Sequence, residues 1–147
     1  MEKIFFALVI FILCSCGKDD PGVKPKNQTN HMEATVTYPS GTVVTLNETG
    51  NNVTLAKDFL GGYFATILTN QNQRVSISDL YGFECSFYPI YDAGGTQPGY
   101  NSYALAGDTI IYTLINDTHR EGNFKFTCIK GLGDTVKVAG SFKGEFG

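Results

Sequence analysis

From residue 32 onward the chain is written with a period of two, and that restricts the fold more than any other feature. Met32, Ala34, Val36 and Tyr38 alternate with Glu33, Thr35 and Thr37, and the run ends at Pro39-Ser40-Gly41, a turn. Phe83, Cys85 and Phe87 alternate with Glu84, Ser86 and Tyr88. Phe124, Phe126 and Cys128 alternate with Asn123, Lys125 and Thr127, and Val136 and Val138 with Thr135 and Lys137. Neighbouring side chains of a strand leave on opposite sides, so each run gives one face to a core and one to water. Helical spacing is nowhere sustained. The segment KDFLGG at 57–62 is long enough only for a single helical turn.

Polar, glycine-rich clusters punctuate these runs: ETGNN, TNQNQ, DAGGTQPG, NDTHREG and KGLGD. They divide the body into some eight or nine strands rich in threonine, valine, isoleucine and aromatics, which suit a pleated, half-buried surface. The expected class is all-β. An antiparallel β-sandwich of about eight or nine strands is the first expectation and a small β-barrel the alternative, since both bury one side of an alternating sheet.

The first residues belong to another physical regime. Lys3 precedes an uncharged run, 4–13, too short for the roughly 20 apolar residues of a membrane-spanning helix and matched to the core of a signal peptide. Leu13-Cys14-Ser15-Cys16 resembles the bacterial lipobox, which implies cleavage before Cys16 and lipidation of that cysteine. Gly17-Lys18-Asp19-Asp20 resembles the export signal of surface lipoproteins in Bacteroidetes. Residues 1–15 are then a signal peptide, 16–31 a lipidated cysteine and a flexible tether, and 32–147 a single all-β domain. Fourteen-odd tether residues span on the order of 20 Å as a coil and roughly 50 Å when straight. The expected location is the outer membrane, lipid-anchored and facing outward, with the periplasmic face as the alternative.

Removing 1–15 takes away one acid and one base, Glu2 and Lys3, so the net charge stays at −3. A chain this mildly acidic, with no basic stripe, is not built for nucleic acid. Two cysteines remain, Cys85 and Cys128, both on the apolar face of their strands. In an exported chain they are candidates for a disulfide, which would close a loop of about 40 residues and contribute about 4 kcal/mol in the chain-entropy account. The other reading is two buried thiols acting as small hydrophobes. His119 is the only histidine beyond the tether edge, where His31 sits, so neither a histidine-rich metal centre nor a catalytic triad has its parts. Asp58, Asp79, Glu84, Asp92 and Asp108 are scattered acids of the kind that usually face solvent. No catalytic residue, metal or cofactor is expected.

The segment 91–108, YDAGGTQPGYNSYALAGD, is long for a hairpin connection and carries Tyr91, Tyr100 and Tyr103. Long loops on a rigid β scaffold often bind, and tyrosine offers a flat apolar ring with a polar tip. The other reading is that these rings cover an open end of the fold, or that 103–105 adds a short strand. The expected function is a non-catalytic binding module for a glycan or a protein, held at the membrane by its anchor. An accessory subunit of an outer-membrane complex is the second reading.

With its lipobox, short polar tether, opening strand MEATV and closing strands GNFKFTCIKGLGDTVKVAGSFKGEF, the chain resembles small uncharacterised lipoproteins of Bacteroidetes. Their ending reads as Gly-x-Phe-x-Phe, a turn, and a β-branched strand running into Gly-x-Phe. Gly122, Phe124, Phe126, Gly140 and Phe142 fit that ending. The chain departs from it early, where Pro39-Ser40-Gly41-Thr42 stands in place of a frequent tryptophan. The resemblance implies an address and a single all-β domain, and it implies no activity.

Overall fold

A computed structural model describes residues 30–91, 98–103 and 105–146, without the side chain of Tyr103. Ten strands account for almost all of its regular structure: β1 (His31–Thr37), β2 (Val43–Thr49), β3 (Val53–Lys57), β4 (Tyr63–Leu68), β5 (Arg74–Ser78), β6 (Glu84–Tyr88), β7 (Tyr100–Tyr103), β8 (Thr109–Ile115), β9 (His119–Lys130) and β10 (Asp134–Glu145). The all-β reading holds. The strand count exceeds the expected eight or nine because Tyr100–Tyr103 pairs as a strand of its own within the long tyrosine-bearing segment. The residues 57–62 form a hairpin turn and not a helical one. Asp58 directs it, accepting from Leu60 N at 2.8 Å and Gly62 N at 3.1 Å. The one helical piece among the described residues, a 3-10 turn at Gly50–Asn52, lies inside the ETGNN cluster.

All pairings are antiparallel and join the strands into one sheet, in the order β2-β1-β10-β9-β7-β6-β5-β4-β3, with β8 paired to β9 alongside β7. The edge strands β2 and β3 are neighbours in sequence and joined by the 3-10 turn, so the sheet curls back almost to closure. The arrangement within the all-β class is therefore barrel-like. The closing unit is β1–β10–β9, whose long, unbroken registers run from His31↔Lys143 to Thr37↔Lys137 and from Asp134↔Lys130 to Glu145↔His119.

The alternation read from sequence is the inside–outside pattern of this barrel. Met32, Ala34, Val36, Phe87, Phe124, Phe126, Val136 and Val138 are all buried. Two residues depart from it: Phe83 stands before β6 begins, with 37% of it exposed, and Tyr38, just past β1, is only partly buried against the core. A small void beside Tyr63, Tyr112 and Phe142 measures about 10 Å³, room for about one water. The buried side chains form one continuous core cluster.

Asn30, the first described residue, is packed into the body. Only 1% of it is exposed. Its carbonyl accepts from Gly50 N at 2.8 Å, its Oδ1 accepts from Glu145 N at 2.9 Å, and its Nδ2 donates to Val53 O at 3.4 Å. One amide side chain thereby ties the end of β10 to the start of β3 across the open seam of the sheet.

Candidate functional site

The outer wall has several hollows, and the one over β4–β7 combines aromatic, charged and hydroxyl side chains. On β5 and β6 every outward residue is half-buried, whereas those of β10 are mostly exposed. The hollow is a trough of about 330 Å³.

Strand register dictates its floor. Thr66 lies opposite Ser76, Ser76 opposite Ser86, and Ser86 opposite Asn101, giving a row of short hydrogen-bonding side chains across four strands. Two parallel rows make the walls. On one side Arg74 and Tyr88 are paired, and on the other Phe64, Ser78 and Glu84. Thr66 Oγ1 and Ser76 Oγ share a hydrogen bond of 2.9 Å, and Arg74 Nε donates to Ser76 Oγ at 3.0 Å. The floor is thereby held in one arrangement before anything binds.

Aromatic rings frame the trough. The Arg74 guanidinium lies 4.6 Å over the ring of Tyr91, and Tyr91 meets Tyr88 edge-on at 5.8 Å. Gly99 packs on the Tyr88 ring so closely that an added Cβ would come within 2.5 Å of it. The chain beyond β6 and the chain before β7 therefore both brace Tyr88.

The three tyrosines expected from sequence divide. Tyr91 stands beside the trough, half-buried under Arg74. Tyr100 points inward, only 5% exposed. It stacks on Phe87 at 5.9 Å, meets Tyr38 edge-on at 6.2 Å, and donates its hydroxyl to Asp134 Oδ2 at 2.7 Å. That hydrogen bond, helped by burial, pushes the phenol up to about 12. Tyr100 is a core residue with a polar tip and touches no ligand surface. The backbone of Tyr103 pairs with Glu84 at the trough's edge, and its side chain lies outside the described residues. The contributions of Thr66, Arg74, Ser76, Ser86, Tyr88 and Asn101 were missed from sequence, although the outward members of alternating strands were the place to look.

The scattered acids are mostly occupied with the fold. Asp79 accepts from Tyr63 N at 2.6 Å and from the Tyr112 hydroxyl at 2.5 Å. Burial first, then Asp79, raises the Tyr112 phenol well above its ordinary value. Asp108 is buried, accepting from Ser102 Oγ, from Leu105 N at 3.1 Å and from Thr127 N at 2.8 Å, so it pins the segment before β8 onto β9. Glu84 alone of these acids lines the trough, and Asp92 lies outside the described residues. His119 pairs with Glu121 at 3.0 Å near the surface. Among the described residues no group of three or more His, Cys, Asp or Glu side chains is placed to hold a metal ion.

Cys85 and Cys128 are brought together as buried free thiols, with Cys128 Sγ 3.8 Å from the carbonyl oxygen of Cys85. Burial, reinforced by the neighbouring thiol, pushes Cys85 well above its ordinary range. Cys16 and the whole of 1–29 lie outside the described residues.

No family model, no curated protein and no solved structure matches this chain.

Proposed function

We propose that the protein is a lipid-anchored module of the cell envelope, carried on Cys16 at the outer membrane and facing outward, which binds a glycan without transforming it. One observation carries the choice of ligand: the four-strand row Thr66–Ser76–Ser86–Asn101, set between the rings of Phe64 and Tyr88. A saccharide presents hydroxyls at its rim and C–H groups on its faces. The row offers it short donors and acceptors at one level, and the rings offer flat apolar surface beside them. Arg74 and Glu84, on opposite walls, add one cation and one carboxylate to orient a polar ligand.

The test is a screen of neutral and uronic-acid oligosaccharides against the intact protein, read as a ligand-dependent rise in melting temperature. A concentration-dependent rise that is lost in both Tyr88→Ala and Asn101→Ala supports the reading. A rise that survives both variants places the ligand elsewhere and sinks it.

A second reading rests on the seam. Among the described residues the outer edge of β2 (Val43–Thr49) pairs with no strand, and a groove of about 350 Å³ runs between it and the β4–β5 turn. An extended segment of an envelope protein could add a strand there, as in an accessory subunit. A stoichiometric partner in gently extracted membranes would favour this reading.

A further inference from the structure

We infer that the barrel end from which the N-terminal chain leaves is a lipid-docking surface, with Phe59, Leu60 and Tyr81 resting in the interfacial layer of the membrane. The inference uses the anchor of the proposed function to choose the occupant, and is otherwise independent of the glycan trough.

Several contacts place these residues on one end. The turn holding Phe59 and Leu60 lies against the loop holding Tyr81: Tyr63 N donates to Asp79 Oδ1 at 2.6 Å, and a Cβ on Gly62 would fall 2.5 Å from the Leu80 side chain. Tyr63 meets Phe146 at 4.9 Å, and Phe146 follows the Glu145 that Asn30 holds. The residue that begins the described body therefore sits on the same end as the two loops.

The chemistry of the loop tips is unusual for a surface. Phe59 is 93% exposed, Tyr81 75% and Leu60 58%. The turn 58–62 needs only its aspartate and glycines for its geometry, and Asp58 and Gly61 supply them. Nothing in the turn's own stability calls for an aromatic and a leucine in its middle. Ile115, 59% exposed, ends β8 beside the same end through its pairing with Arg120. Exposed apolar groups side by side on adjoining turns mark an interaction surface, and rings of this type favour the membrane–water boundary.

Chain length supplies the occupant. The segment 16–29 joins the body at this pole and reaches at most about 50 Å, so an acylated Cys16 holds this pole within that distance of lipid. The opposite pole provides the control, since Leu132 stands fully exposed in the β9–β10 turn there.

The chain contains no tryptophan, so one placed by substitution reports alone. Phe59→Trp and Leu132→Trp versions of the full-length lipoprotein would be reconstituted in phosphatidylethanolamine/phosphatidylglycerol vesicles with brominated acyl chains. The expected result is a blue-shifted Phe59→Trp emission that loses most of its intensity to the bromine, with Leu132→Trp unaffected. Unquenched emission at 59, or equal quenching at 132, overturns the docking surface. The mass of the N-terminal peptide reports acylation separately: an acylated protein unquenched at 59 loses the docking surface and keeps its anchor. A melting temperature unchanged in Phe59→Ser would show that this side chain does not serve the fold.

Discussion

Phe124 on β9 stands directly opposite Gly140 on β10, and its ring fills the space where a side chain at 140 would be. The relation is reciprocal one step along the strands. Phe142 stands opposite Gly122, with ring atoms 2.8 Å from where a Cβ at 122 would lie. The spacing of Gly122-x-Phe124 against Gly140-x-Phe142 is what antiparallel register demands if each glycine is to be roofed by a ring from the next strand.

Replacing Gly140 by alanine should therefore be severe. The new Cβ would press on the carbonyl oxygen of Glu33 in β1, on the Phe124 ring tip at 2.8 Å and on the Ala34 backbone at 2.9 Å, so both neighbouring strands would have to move. We expect a loss of about 3 kcal/mol or more, read from urea unfolding. Gly41→Ala, which meets no atom, is the comparison: its cost should be limited to the strain of a φ of +84° and stay near 1 kcal/mol. Similar losses at both positions would mean that the roofed arrangement is not what makes Gly140 necessary.

Sequence patterning revealed the inside of this molecule better than its outside. Alternation named the core strand by strand because burial is a local property of a two-residue period. Closure into one curled sheet was not legible, since a sandwich and a barrel share the same alternation and differ in which edges meet. Asn30 shows the same limit: a polar residue in a polar stretch gives no sign that it bridges residues 53 and 145. The trough failed for a related reason. Thr66, Ser76, Ser86 and Asn101 are ordinary outward residues until register lines them up. Tyr100 misled in the other direction, since its polar tip finds Asp134 from inside the core.

That Tyr100–Asp134 contact gives the protein an alkaline limit. Held up to about 12 in the fold against an ordinary value near 10, the phenol keeps its proton better when folded. Its contribution is fully present below pH 10 and is lost as pH rises through 10 to 12, because only the unfolded chain releases the proton there. Tyr100→Phe should cost about 1 kcal/mol at neutral pH and flatten the decline above pH 10. An undiminished alkaline decline in the variant would assign it to Tyr112 and Tyr38, which are shifted in the same direction.

Cys85 and Cys128 should be silent in the folded protein. They are 3% and 0% exposed, and the thiolate that would react is disfavoured at Cys85 by its burial. A maleimide is expected to label neither thiol in native reduced protein and both after unfolding. A bridge between them, the other expectation from sequence, makes the opposite forecast: protein isolated from its own cells and unfolded without reductant would show no free thiol. Two free thiols in that sample would establish them as plain core residues.

Asn30 is the cheapest place to open the barrel. Asn30→Ala removes the acceptor of Glu145 N and the donor to Val53 O, stranding groups on two strands that no ladder hydrogen bond joins. Each stranded buried group costs on the order of 1–3 kcal/mol, so the variant should lose at least about 2 kcal/mol. Amide exchange should locate the loss. Protection should fall first at Gly50, Val53 and Glu145, while the β9–β10 ladder keeps its own. Asn30→Asp retains an acceptor for Glu145 N but turns a carboxylate oxygen toward the Val53 carbonyl, and should be nearly as damaging. Uniform loss of protection throughout the sheet in both variants would show that the seam does not open on its own and that the barrel unfolds only as a whole.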